Sequence, residues 1–233
     1  MKERPLVKSG IPGLDKILGG GFPEGSITTI GGPSGAGKST FGMQFLYEGA
    51  RQFGEVGLYI SIEESKDAML SHLSGYDWDI REIEEKQKLV FLDYPIYEVD
   101  QLIQQSSAVK EIAHTMGVKR IVIDSIMPIA LHFKSEEERK LGFLKFIENV
   151  RSWGATTLII SEDTTTHATE ILPHTTYAIE SFTDGWINLS FKYDEKKNER
   201  VRIIEILKMK GVHHSLKQHP LSLSEKGIMV QVK

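Results

Sequence analysis

The chain contains no cysteine, which removes disulfide bonds, thiolate metal ligands and cysteine nucleophiles, and fits an intracellular setting. No apolar run comes near the length of about 18 residues that a membrane-spanning helix needs. The opening Met1-Lys2-Glu3-Arg4-Pro5 lacks the apolar core of a secretion signal. A soluble, cytoplasmic protein with no membrane partner is therefore expected. A positive balance is missing as well: 28 basic residues face 32 acidic ones, a net charge of −4, so no overall field draws in nucleic acid or anionic lipid. Internal repeats and low-complexity tracts are absent. The 233 residues suffice for one large core and leave little for a second, so a single domain over 1–233 is expected.

What is present is concentrated first in Gly31-Gly32-Pro33-Ser34-Gly35-Ala36-Gly37-Lys38-Ser39-Thr40, which contains G-x-x-x-x-G-K-[ST] from Gly32 to Ser39. Gly32, Pro33, Ser34, Gly35, Ala36 and Gly37 would form a cradle. Gly35 and Gly37 let the backbone curl so that N–H groups point at one anion, and a following helix adds its positive end. Lys38 would neutralise β/γ-phosphate oxygens, Ser39 would offer its hydroxyl to Mg²⁺, and Thr40 would reach the α-phosphate. The context agrees. Ser26–Ile30 is β-branched almost throughout, and Phe41, Met43, Phe45, Leu46 and Ala50 recur at helical spacings until Gly54. These residues specify a nucleoside triphosphate with Mg²⁺.

Ahead of the loop, Ser9–Leu18 reads as a turn and one short helix, and Gly19–Gly25 as a flexible approach. Behind it, Gly57–Ile62 reads as a buried strand ending in Glu63-Glu64-Ser65. A polar stretch through Ser74–Trp78 leads to a third strand, Lys88–Asp93, and a helix with its body over Val99–Met116. Lys119–Ser125 is a short hydrophobic strand closed by Asp124, which resembles a Walker B element. Met127–Lys140 is expected to be an exposed loop before a helix over Leu141–Trp153. Ala155–Ser161 is a further strand, and Glu162–Thr176 a second loop. Alternating strands and helices predict a parallel sheet with right-handed crossovers. The last third changes period: Trp186–Tyr193 and Val201–Met209 read as an antiparallel hairpin around a charged turn, with short β pieces at Leu221–Ser224 and Gly227–Val232.

Asp124, at a strand's carboxyl end, is placed to hold Mg²⁺ through water. Glu63, at the end of the strand after the phosphate-loop helix, is the candidate to orient and deprotonate an attacking water, with Glu64 as its neighbour; adjacent carboxylates raise each other's pKa. Lys208 and Lys210 are two apart and would project from one face of a strand. By themselves they read as solubilising edge lysines. His213, His214 and His219 have no assignable carboxylate partners and are not read as a metal site.

Taken together these motifs resemble the KaiC-like branch of the RecA superfamily, from Gly10 to the C-terminus. The resemblance rests on Gly10–Asp15 and Gly20–Pro23, Pro33–Ser39, Tyr59–Glu64, Ile121–Ser125, and Glu205–Gly211 followed by His214 and Pro220. It implies an α/β, RecA-like P-loop NTPase: a mostly parallel central sheet flanked by helices, with a C-terminal antiparallel hairpin. It also implies ATP bound between neighbouring subunits of a homo-oligomeric ring, commonly a hexamer. In that family, basic residues matching Lys208 and Lys210 reach the neighbour's γ-phosphate, and the position of His214 lies near the neighbour's nucleotide. Two departures matter. Lys210 stands where the family's second finger is usually Arg, and Val212 replaces a small hydroxyl residue. Lysine cannot make arginine's fork, so slow turnover is expected. The clock protein of the family has two such domains, and neither its clock role nor its self-phosphorylation is carried over to this chain.

The leading expectation is a slow ATPase that regulates a partner protein not identifiable from the sequence. A DNA-recombination relative would use Met127–Lys140 and Asp163–Thr176 as strand-binding loops. The first sets Lys134, Arg139 and Lys140 against three glutamates, whereas phosphate contacts need clustered cations. A nonhydrolysing nucleotide sensor is the third reading, separated from the first by Glu63. A small-molecule kinase is disfavoured by the lack of an arginine-rich lid.

Overall fold

The computed structural model describes residues 4–95, 98–104, 106–162 and 172–232. Its central feature is a nine-stranded sheet in the order β11-β10-β9-β8-β3-β7-β6-β4-β5. The strands are β3 (Ile27–Gly31), β4 (Val56–Ser61), β5 (Leu89–Asp93), β6 (Val118–Asp124), β7 (Thr156–Ile160), β8 (Gly185–Asp194), β9 (Glu199–Met209), β10 (His219–Ser224) and β11 (Gly227–Val230). β3 through β8 pair in parallel, and β9, β10 and β11 continue antiparallel. The expected fold class therefore holds, with the antiparallel part extended past the hairpin. β1 (Leu6–Val7) and β2 (Phe22–Pro23) form a separate ribbon where a flexible approach is expected.

The helices are α1 (Leu14–Ile17), α2 (Lys38–Phe53), α3 (Lys66–His72), α4 (Ile80–Glu85), α5 (Val99–Gln104), α6 (Ser106–Thr115), α7 (Met127–His132) and α8 (Glu136–Ser152). Apolar clusters on the two faces of the sheet make the core: one around α2, with Phe41, Phe45 and Leu46, the other under α7 and α8, with Phe143, Val150 and Trp153. No helix among the described residues is long and apolar enough to cross a membrane.

The helix expected over Val99–Met116 is described as α5 and α6, on either side of residue 105, which lies outside the described residues. Two expectations need correction. The polar stretch around Ser74–Trp78 is flanked by α3 and α4, which are short and capped by Ser65 and Asp79. The loop over Met127–Lys140 is α7, with Pro128, Ile129 and Ala130 buried, followed by the start of α8. Ser135 begins that helix: its hydroxyl accepts from the Glu138 N–H at 3.1 Å, and Glu138 accepts from the Lys134 N–H at 3.0 Å, a capping arrangement that outweighs the charge run. Most of the loop expected over Glu162–Thr176 lies outside the described residues.

Arg120 on β6 is fully buried. It pairs with Glu55 at 2.5 Å, donates to the Phe45 carbonyl at 2.9 Å, and lies 4.6 Å from the Phe45 ring. α2 yields to it at Gly49, where a Cβ would fall 2.4 Å from Arg120 Nε. Gly49→Ala gains about 1 kcal/mol of helix propensity. It also overpacks the core at about 1–3 kcal/mol and threatens a buried ion pair whose disruption costs about 3–5 kcal/mol. The expected net result is a melting temperature lower by about 5 °C, read by circular dichroism. An unchanged or higher value would mean that Arg120 moves aside freely.

Candidate nucleotide site

The phosphate loop leaves β3 at Gly31 and enters α2 at Lys38. Gly32 has φ 149°, and a Cβ there would lie 2.2 Å from the Leu189 carbonyl, so no other residue fits. Gly35 and Gly37 take φ 79° and 102°, as their expected role requires. Gly37 offers no capping side chain, so the first N–H groups of α2 are presented to the loop. Pro33 accepts the turn bond from the Ala36 N–H at 3.2 Å; Ala36 is buried, while Ser34 and Gly35 are exposed. Lys38 Nζ donates to the Gly32 and Pro33 carbonyls at 2.9 and 3.0 Å, which centres its ammonium over the loop.

Asp124, predicted at a strand end more than eighty positions away, lies beside Ser39. Its carboxylate accepts a hydrogen bond from Tyr59 at 2.5 Å, and the nearby Ser39 hydroxyl also favours its charged form. Burial pushes the Asp124 carboxyl up, opposed by those two hydroxyls and by the Lys38 charge. Burial and Asp124 push the Tyr59 hydroxyl well up, so Tyr59 acts as a donor. A hydroxyl and a carboxylate side by side form the hard oxygen set that Mg²⁺ prefers; the residues fit the ion.

Ser125 turns out of β6 and donates to Glu63, and its hydroxyl accepts from the Met127 N–H at 3.3 Å. Burial raises the Glu63 carboxyl, Ser125 opposes this, and Asp124, Glu162 and Glu64 add to it. Glu64 lies 3.3 Å from His72 Nδ1 on α3, and its charge also acts on Asp124 and Tyr59. The two adjacent glutamates thus have different partners, Ser125 for Glu63 and His72 for Glu64.

The remaining expected residues are elsewhere. The Lys210 N–H bonds to the Asp184 carbonyl at 2.9 Å, and the Asp184 N–H to the Ile27 carbonyl at 2.7 Å. That places Lys210 level with the start of β3, about 16 Å of strand from Gly32 at 3.3 Å per residue. Lys208 Nζ donates to the Glu180 carbonyl at 3.0 Å. Burial, then Lys210, lowers the Lys208 ammonium pKa. His214 Nδ1 lies 3.1 Å from the Ser215 carbonyl, and the Ser215 N–H is tied to Ile17 of α1.

Sequence reasoning missed two residues at the loop. Arg202 on β9 donates to the Gly35 carbonyl at 3.4 Å, with its guanidinium 5.4 Å from the Phe191 ring. The Tyr76 hydroxyl lies 3.2 Å from Thr40 Oγ1, and its ring stacks on Trp78 with centroids 4.5 Å apart. A cavity of about 690 Å³ opens beside this stack, lined also by Leu70 and Leu73. The Asp77 N–H joins it to the β10–β11 turn at the Glu225 carbonyl, 2.8 Å away. An aromatic dipeptide-spaced pair, Tyr76 and Trp78, between two short helices was the available signal.

A family model described as "ATPase: KaiC" matches residues 7–233. A UPF0273 protein of Methanocaldococcus jannaschii is 31% identical over 238 residues, covering 96% of this chain and 95% of that one. A UPF0273 protein of Aeropyrum pernix is 30% identical over 238 residues, covering 96% and 92%. Among solved structures, the crystal structure of a KaiC-like protein from Pyrococcus horikoshii OT3 superposes with a TM-score of 0.84 at 33% identity, covering 98% of this chain and all of that one. The chain belongs to the KaiC-like ATPase family of the RecA superfamily.

Proposed function

We propose that this protein hydrolyses ATP slowly, with Mg²⁺, at sites shared between neighbouring copies in a hexameric ring, and that ring assembly or conformational change regulates a cytoplasmic partner protein. The observation that carries the shared-site reading is that Lys210 stands level with the start of β3, at the end opposite its own phosphate loop, with Lys208 two residues back on β9, paired with Trp186 and so level with Thr29. A phosphate that Lys210 meets would belong to another copy.

In one copy, the loop and Lys38 bind the triphosphate, and Ser39 and Asp124 would hold Mg²⁺, Asp124 through water. When bound, the ion draws charge from the β- and γ-phosphate oxygens. Glu63, fixed by Ser125, holds the attacking water. The water oxygen bonds to the γ-phosphorus as the bond to the β-γ bridging oxygen breaks; the proton passes to Glu63 and the electron pair leaves with ADP. Burial, which raises the Glu63 carboxyl, makes it a stronger base. From the neighbour, Lys208, Lys210 and His214 would approach the γ-phosphate and nucleotide. Lys210 brings a point charge without a fork, which accounts for slow turnover.

The Tyr76–Trp78 stack beside Thr40 is placed for the purine. Stacking is worth about 1–3 kcal/mol per base, so Tyr76→Ala is expected to weaken ATP about 5- to 100-fold by titration, with phosphate release at saturation little changed. Undiminished affinity would place the base elsewhere.

The reading as a whole is tested by measuring molecular mass with and without ATP·Mg²⁺ alongside phosphate release. A rise in mass with turnover supports it. Turnover by a species that stays monomeric at every concentration would remove the shared site. The DNA alternative loses its first loop to α7 and α8; DNA affinity with a steep salt dependence would revive it.

A further inference from the structure

The end of the subunit that carries Lys208 and Lys210 holds a third cation. Arg151, in the last turn of α8, reaches Asp184 with both terminal nitrogens: Nη1 to Oδ2 at 2.9 Å and Nη2 to Oδ1 at 3.3 Å. Asp184 Oδ2 also accepts from the Ile27 N–H at 3.1 Å, and Asp184 Oδ1 lies 3.8 Å from Lys210 Nζ. One carboxylate therefore ties Arg151, Lys210 and the base of β3 into one unit. Burial alone would raise the Asp184 carboxyl; Arg151, the Ile27 N–H and Lys210 hold it below the usual range, so it stays ionised.

A cation at the C-terminal turn of a helix is ordinarily explained by the helix dipole. That account leaves the surroundings unexplained. Three cations, Arg151, Lys208 and Lys210, face two carboxylates, Asp184 and Glu180. The carboxylates are nearly buried, whereas the side chains of Arg151 and Lys210 are 45% and 60% exposed. The Glu180 carboxylate already accepts from Thr175. What this surface offers outward is positive charge. Guanidinium has five N–H donors in a rigid fork, and Asp184 engages one on each terminal nitrogen. The remaining donors point from a group whose orientation is set.

We propose that Arg151 is a third cation presented to the neighbouring copy's γ-phosphate, with Asp184 as the residue that positions it. This rests on the shared-site reading above. It supplies the planar fork that Lys210 lacks, from a different element of the same surface. Two anchored donors on Asp184 cost the guanidinium much of its rotamer freedom in advance, so little remains to be lost when phosphate arrives.

The test uses the full-length protein with ATP·Mg²⁺. Arg151→Ala is expected to lower turnover about 100-fold, the usual loss of one charge-stabilising donor. ATP affinity should change less than about twofold, because Arg151 is remote from its own loop. Arg151→Lys should recover only part of the rate. Asp184→Asn, which still accepts from the Ile27 N–H, should lower turnover in the same way. The decisive arm mixes subunits. Arg151→Ala is combined with Glu63→Gln, which lacks its own base and keeps Arg151. In a random ring about a quarter of interfaces join an intact loop and base to an intact Arg151, so about a quarter of wild-type turnover should return. A parallel mixture replaces Arg151→Ala with Lys208→Ala. Recovery with Lys208→Ala and none with Arg151→Ala would overturn the Arg151 assignment while leaving the shared site standing. Recovery in neither would overturn both. Wild-type turnover by Arg151→Ala alone would also overturn the assignment.

Discussion

Replacing Lys38 by alanine is expected to weaken ATP binding about 100-fold. The ammonium is held over the loop by the Gly32 and Pro33 carbonyls at 2.9 and 3.0 Å, so it needs little rearrangement to meet β- and γ-phosphate oxygens. Hydrogen bonds to charged groups are worth about 1.5–3 kcal/mol each. Removing one member of a close charge pair costs about 2–5 kcal/mol because the other charge is left uncompensated. At 1.4 kcal/mol per tenfold, that range spans about 30-fold to more than about 1,000-fold, and about 100-fold lies inside it. Lys38 is only half-buried at the start of α2, so the fold should survive, and an unchanged melting curve would establish that. Titration with a fluorescent ATP analogue reads the affinity. Retained affinity would mean the triphosphate does not occupy this loop.

Glu63→Gln should do the opposite: leave binding intact and lower phosphate release about 10²- to 10⁴-fold, the usual share of a general base. Glutamine keeps the length and still accepts from Ser125, so the geometry that positions the side chain persists while the basic oxygen is lost. Glu64→Gln is the internal comparison. Its partner is His72 on α3, and its effect on the rate should be small. Equal losses from both substitutions would overturn the choice of Glu63 over Glu64 as the base, whereas no loss from Glu63→Gln at full occupancy would favour the nonhydrolysing sensor.

The chemistry of the loop was legible because it is local. Gly32 to Thr40 lie in one turn, and Asp124 and Glu63 announce themselves by ending hydrophobic strands, which a parallel sheet gathers at one edge. What stayed hidden depends on contacts between distant residues. Tyr76 meets Thr40 across 36 positions, and Arg202 meets Gly35 across 167; no spacing rule encodes either. α3 and α4 were missed because six or seven residues give too few turns for an apolar period to stand out, leaving only Met69, Ile80 and Ile83 buried within them. Their caps, Ser65 accepting from Ala68 and Asp79 accepting from Glu82, were the better signal. The same applies to Ser135 before α8. The lysine pair illustrates the reverse case. Residue types alone favoured solubilising edge lysines, and only the bond of the Lys210 N–H to Asp184, level with the start of β3, places that lysine at the end of the sheet away from the loop.

The placement of the phosphate loop and Asp184 at opposite ends of β3 gives the subunit a direction. If each nucleotide is completed by the next copy, an open row of n subunits contains n − 1 finished sites, with one bare loop at its head and one idle set of cations at its tail. Closing the row into a ring completes the last site without adding a subunit. Closure would then be favoured by nucleotide itself, and a chain-terminating variant that lacks only the cations should cap such rows at one defined end.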